Sequence, residues 1–96
     1  MGKYNFLSPI EKNTIDWHAN IELEATKRCC NDKLSQYAKK HEAYLLSNLR
    51  KKYADIALLK SLTREYDHLM KMDRSVQKQI MEQKINSLSR YISMKQ

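Results

Sequence analysis

Ninety-six residues with a net charge of +7, 30% charged side chains and a mean hydropathy of −0.76 leave room for one domain and for no apolar membrane span. One Gly (Gly2) and one Pro (Pro9) exclude ordinary β-rich and α/β folds, whose tight turns need several such residues. The basic balance favours acidic partners (nucleic acid, an anionic membrane or an acidic protein surface) without choosing among them.

Residues 1–8 read as an irregular lead. It carries no apolar signal segment, and Phe6 stands where a myristoylation pattern needs Ser or Thr. Ser8-Pro9-Ile10-Glu11 then forms a capping box with proline at the first helical position, so a helix is predicted to start at Pro9. Leu7 precedes it as half of a hydrophobic staple whose expected partner position is occupied by Lys12. The helical region is expected to cover residues 9–94.

An N-terminal apolar stripe runs through Ile10, Thr14, Trp17, Ile21, Ala25 and Cys29, and resumes at Leu34, Ala38, His41 and Leu45. The frame shifts at residues 30–33, where Asn31 and Asp32 compete for helical hydrogen bonds and make a kink candidate. Residues 72–75 are a second candidate. Cys29 and Cys30 are adjacent, a poor geometry for pairing with each other, and read as reduced thiols of an intracellular protein, cytoplasmic or nuclear.

From Leu45 the apolar positions continue through Leu49, Tyr53, Ile56, Leu59, Leu62, Tyr66, Leu69, Val76 and Ile80 at a mean spacing near 3.5 residues. The predicted fold is all-α: a long coiled-coil helix, straight, bent or folded as a hairpin, within a multi-helix bundle. Trp17, Ile21 and the ten residues from Leu45 to Ile80 just named are the expected partner interface. Additional apolar residues flanking the seam, Leu58, Met70, Met72 and Met81, favour more than one neighbouring helix, and hetero-oligomers over homo-oligomers. Tyr37, Tyr44, Tyr53, Tyr66 and Tyr91 suit half-buried helix contacts.

Asp73 takes an a position in this frame. It either meets a cation on a partner helix or caps a segment that begins at Arg74. Under both readings Asp73→Leu yields a more stable but less selective chain. In the same frame Lys60, Arg64, Lys71, Arg74 and Lys78 share one outer face. That face is a candidate for binding anions, or else an ordinary solvated surface.

His18, His41 and His68 lack metal-ligand spacing, and His41 is expected to be a polar core position. No phosphate loop or nucleophile motif occurs, so neither enzymatic activity nor a cofactor is expected. The expected function is that of a small structural coiled-coil subunit, a scaffold or adaptor joined to the helices of other proteins. The alternative is a basic helical adaptor that holds nucleic acid or an anionic membrane through its C-terminal half.

Overall fold

A computed structural model describes residues 7–95. Among these residues the chain is all-α, a bundle of five helices without strands: α1 (Pro9–Arg28), α2 (Asp32–Lys40), α3 (Glu42–Tyr53), α4 (Ile56–Met70) and α5 (Arg74–Lys95). The irregular lead expected over residues 1–8 lies mostly outside the described residues.

The helices start where short polar side chains satisfy the orphan amides of a first turn. At α1 the capping box forms. The Ser8 hydroxyl accepts from the Glu11 amide at 3.3 Å, and the Glu11 carboxylate accepts from the Ser8 amide at 2.8 Å. Asn31 caps α2 by accepting from the Leu34 amide at 3.0 Å, and Asp55 caps α4 by accepting from the Leu58 amide at 3.1 Å. At the start of α5, Asp73 accepts from both the amide (2.9 Å) and the hydroxyl (2.7 Å) of Ser75. The junction at His41 has no side-chain cap. Backbone bonds run on through it from Tyr37 to His41 and from His41 to Leu45, so α2 and α3 meet at a bend.

The stretch with coiled-coil spacing is therefore divided among α3, α4 and α5, with interruptions at Ala54 and Asp55 and again at Lys71 to Asp73. Each of these three helices turns one apolar side to the same neighbour, α1. A period near 3.5 arises from that arrangement as readily as from one long seam.

Helix α1 is the hub: it packs against all four other helices, which make few close backbone approaches among themselves. Its buried residues are Thr14, Ile15, His18, Ala19, Ile21, Leu23 and Ala25. At about 100° per residue these positions cover more than half of its circumference. Ala19 and Ala25 are fully enclosed, and their small side chains let neighbouring backbones come close. Thr14 is equally enclosed, its hydroxyl satisfied by the Ile10 carbonyl at 2.7 Å. Leu7 does not act as a staple on Lys12; it is buried against Ile15 and Leu59, beside Tyr53 and Ala54. A second cluster joins Ile21 and Ala25 of α1 to Ile85 of α5, flanked by Trp17, Met81, Leu88 and Ile92.

The whole measures 37 × 36 × 20 Å, a slab about two helix diameters thick. Polar contacts tie its pieces to the hub. The Ser35 hydroxyl donates to the Lys27 carbonyl at 2.5 Å, and the Cys30 amide donates to the Ser93 hydroxyl at 2.8 Å. Ion pairs link Arg50 with Asp16 (2.9 Å), Lys27 with Glu42 (2.6 Å) and Arg28 with Glu82 (2.9 Å).

The geometry at Asp73 selects the capping alternative, at a helix that begins at Arg74, and reverses the stability expectation attached to it. Its carboxylate is exposed and held by Ser75, which keeps it ionised below the usual carboxylate range. It is a cap and not a buried seam residue. Asp73→Leu is expected to lower stability by about 1 kcal/mol, the usual worth of a cap, instead of raising it. Ser8→Ala should cost a similar amount, about 1 kcal/mol, and speed amide exchange over the first turn of α1. Denaturant unfolding of the two variants checks both; an Asp73→Leu chain more stable than wild type would mean that this carboxylate caps nothing.

Candidate partner-helix groove

Two adjoining hollows lie on one side of α1 and share Leu88 and Tyr91 in their walls, so they read as one groove. The larger part, about 740 Å³, has His18 and Ile21 as its floor, Tyr53, Leu62 and Glu65 on one wall, and Ile80, Lys84 and Leu88 on the other. The smaller, about 400 Å³, continues over Leu23 and Thr26 between α3 (Leu45, Asn48, Leu49, Lys52) and α5 (Leu88, Tyr91, Ile92), with Leu34 and Tyr37 of α2 alongside. The groove exists because α4 and α5 both lean on α1 and hardly touch each other. One side-chain link crosses the opening: Lys84 of α5 is ion-paired with Glu65 of α4.

The floor is polar in an unusual way. His18 is only 7% exposed, stacked on Tyr53 with ring centroids 5.4 Å apart and edge-on to Trp17 at 4.8 Å. Its Nε2 is buried without a hydrogen-bond partner. Burial foremost, and then the nearby Lys84 charge, push its pKa down to about 4, with the Leu62 carbonyl opposing in part. The imidazole is thus neutral. Tyr53 donates its phenol proton to Glu22 at 2.7 Å, and burial together with that bond holds the phenol well above its ordinary range. Lys52 also pairs with Glu22, at 2.8 Å. Burial lowers the Lys84 pKa, while Glu65 beside it favours the charged amine. These groups can accept or donate hydrogen bonds to a guest in the groove. Among the described residues no cluster of His, Cys, Asp and Glu has metal-binding geometry.

Six of the residues expected to form a partner interface, Ile21, Leu45, Leu49, Tyr53, Leu62 and Ile80, line this groove. Leu59 and Leu69 are instead buried in the chain's own core, as is much of Ile21. Trp17 and Tyr66 contact each other at 6.0 Å and are half-buried. Ile56 and Val76 stand in solvent, outside the groove. Of the tyrosines, Tyr53 and Tyr66 are half-buried, whereas Tyr37, Tyr44 and Tyr91 are exposed. His41 is exposed as well, beside Tyr37 at 4.5 Å, and the buried histidine is His18. Both cysteines are free thiols, Cys29 buried and Cys30 exposed.

Lys60, Arg64, Lys71, Arg74 and Lys78 are all exposed, but the interruption before α5 divides them. Lys60 and Arg64 belong to α4, Lys71 pairs with Asp67 at 3.2 Å, and Arg74 and Lys78 border a shallow hollow with Trp17, Leu69, Met70 and Met81. They do not form the straight stripe that a single helix would present.

The acids explain how the surface charge arises. Seven of the eleven, Asp16, Glu22, Glu24, Glu42, Glu65, Asp67 and Glu82, pair with cations. The other four, Glu11, Asp32, Asp55 and Asp73, sit at helix N-termini. Ten of the eleven acids thus hold a hydrogen bond or ion pair within the chain, and the charge left over is positive.

No family model matches this chain, and neither a curated protein nor a solved structure matches it.

The depressed pKa of His18 has a thermodynamic consequence. The unfolded chain takes up a proton at this residue below about pH 6.5, while the folded chain resists it down to about pH 4, so stability falls with pH across that window. His18→Phe keeps a ring against Tyr53 and cannot ionise. Between pH 7 and pH 4, wild type should lose up to about 3 kcal/mol more than this variant in denaturant unfolding. Equal pH slopes would show that the imidazole is not held neutral.

Proposed function

We propose that this chain is a small helical subunit of a larger intracellular complex, and that it joins the complex by receiving a partner helix in the groove over α1. The observation that carries this reading is the groove itself: an open channel walled by apolar side chains of α3, α4 and α5, in a slab whose own core is thin. Grooves between helices recur as seats for amphipathic helices, which offer anchors at i, i+3, i+4 and i+7. Leu45, Leu49, Leu88 and Ile92 present two facing helical ridges, a suitable surface for such anchors.

A second reading has its own support. With the acids engaged elsewhere, Lys60, Arg64, Arg74 and Lys78 have no ion-pair partner among the described residues, as an adaptor for nucleic acid or an anionic membrane would need.

Salt and a groove-blocking variant separate the two. Ser87 is exposed and lines the groove, so Ser87→Trp fills the channel without entering the core. On the subunit reading, wild type captures a defined set of proteins from a cell extract that survives about 0.5 M salt, where surface charge is largely screened, and Ser87→Trp loses that set. Retention of RNA, DNA or anionic vesicles that ends by about 0.2 M salt and ignores Ser87→Trp would favour the electrostatic adaptor.

A further inference from the structure

The groove is lined by two acids, Glu22 and Glu65, and two lysines, Lys52 and Lys84. Its own two acids are clasped, Glu22 by Lys52 and Tyr53, and Glu65 by Lys84. A third lysine, Lys95, lies over the ring of the groove residue Tyr91 at 5.3 Å and has no acid partner among the described residues. The chain around it carries +7. A guest bearing lysines would meet like charge and would have to compete for Glu22 and Glu65. A second copy of this chain brings +7 of its own. A guest bearing acids would compete likewise for Lys52 and Lys84, so the groove's two pairs cancel; Lys95 beside Tyr91 and the chain's excess of cations tip the preference toward acids. On this basis, and resting on the groove as the seat of a partner, we propose that the occupant is an acidic amphipathic helix, with an apolar face against Leu49, Leu88 and Tyr91 and Asp or Glu along its flanks.

The floor adds a requirement. His18 Nε2 is buried without a partner beneath the apolar walls, a cost that a guest hydroxyl could relieve, since a hydroxyl both donates and accepts. The guest therefore carries Ser, Thr or Tyr among the anchors that reach the His18 end of the groove. The geometry also sets its length. The α5 wall runs from Ile80 to Ile92, roughly 18 Å at 1.5 Å per residue, which accommodates about three turns of a guest helix.

The test is a displayed library of constrained helical peptides, randomised at every position, selected against the folded full chain at about 0.3 M salt to suppress non-specific attraction. Enriched peptides are expected to carry Asp or Glu beside an i, i+3, i+4, i+7 apolar face. Binding should weaken at least about tenfold on Ser87→Trp and on Asn48→Trp, which block the two parts of the groove from exposed positions. Replacing the flanking acids of the best peptide with Lys should weaken it by about tenfold or more. Circular dichroism confirms that the blocked variants fold. Enrichment without acidic flanks, equal binding to the blocked variants, no enrichment at all, or self-association of the chain through the groove would each overturn the proposal. If acidic peptides fail while protein capture at high salt still depends on Ser87, the acidic occupant falls and the subunit reading stands. If acidic peptides bind the groove but capture does not depend on it, the reverse holds.

Discussion

Everything in this fold depends on the enclosure of α1. A helix buried over more than half of its circumference cannot be strongly amphipathic, and its neighbours need only one apolar side each. That single asymmetry sets the architecture: four helices lean on one, and they have little reason to pack on each other. It also fixes what sits inside α1. Ala19, Ala25 and Thr14 are the fully enclosed positions, small enough to admit helices from several directions. Enlarging any of them would push a neighbour off the hub.

The same asymmetry decides what could be read from the sequence. The helical class was legible from the scarcity of glycine and proline, and the start of α1 from its capping box. Two interruptions lie beside Asn31 and Asp73, side chains that compete with helical hydrogen bonding. The interruption at Asp55 carries the same chemistry, but Asp55 falls between Tyr53 and Ile56, where the apolar series steps across it by three residues. The period concealed the break, because helices laid successively against one hub can preserve the spacing of one long seam. The heptad frame then failed wherever it was carried across a junction. Leu59 and Leu69 went to the internal core, the five cations of the outer face were divided by the junction before α5, and of the two readings of Asp73 the cap stood. Groove residues such as Leu88 and Lys84 were not singled out, since nothing local distinguishes them from other residues of a long helix. Only the return of α5 across α1 brings them opposite Tyr53 and Glu65.

Charge follows the fold with similar economy. Four acids are at helix N-termini, where they favour the amide-rich end of the macrodipole, and seven hold cations, among them the links from α1 to α3 and α5. Exposed pairs of this kind contribute little individually, about 0–1 kcal/mol each. Their larger consequence is what they leave over. Cations in excess face outward by default, so a basic exterior alone does not identify a nucleic-acid surface; it is what remains when a basic chain uses its acids to fold.

The thin slab and the buried histidine belong to one argument. Helices that lean on the hub but not on each other leave an apolar channel between them, and the floor of that channel is the one place where a buried side-chain polar atom, His18 Nε2, has no partner among the described residues. A leucine or phenylalanine there would avoid the desolvation of an unpaired nitrogen. Local rules that are broken without internal compensation tend to mark places where the compensation is external. The imidazole is kept neutral by burial under Tyr53 and Trp17, so it offers a hydrogen bond without bringing a charge into an apolar groove. That combination suits recognition of a polar group within an apolar face. It also places the least satisfied atom of the fold directly under the surface that remains uncovered.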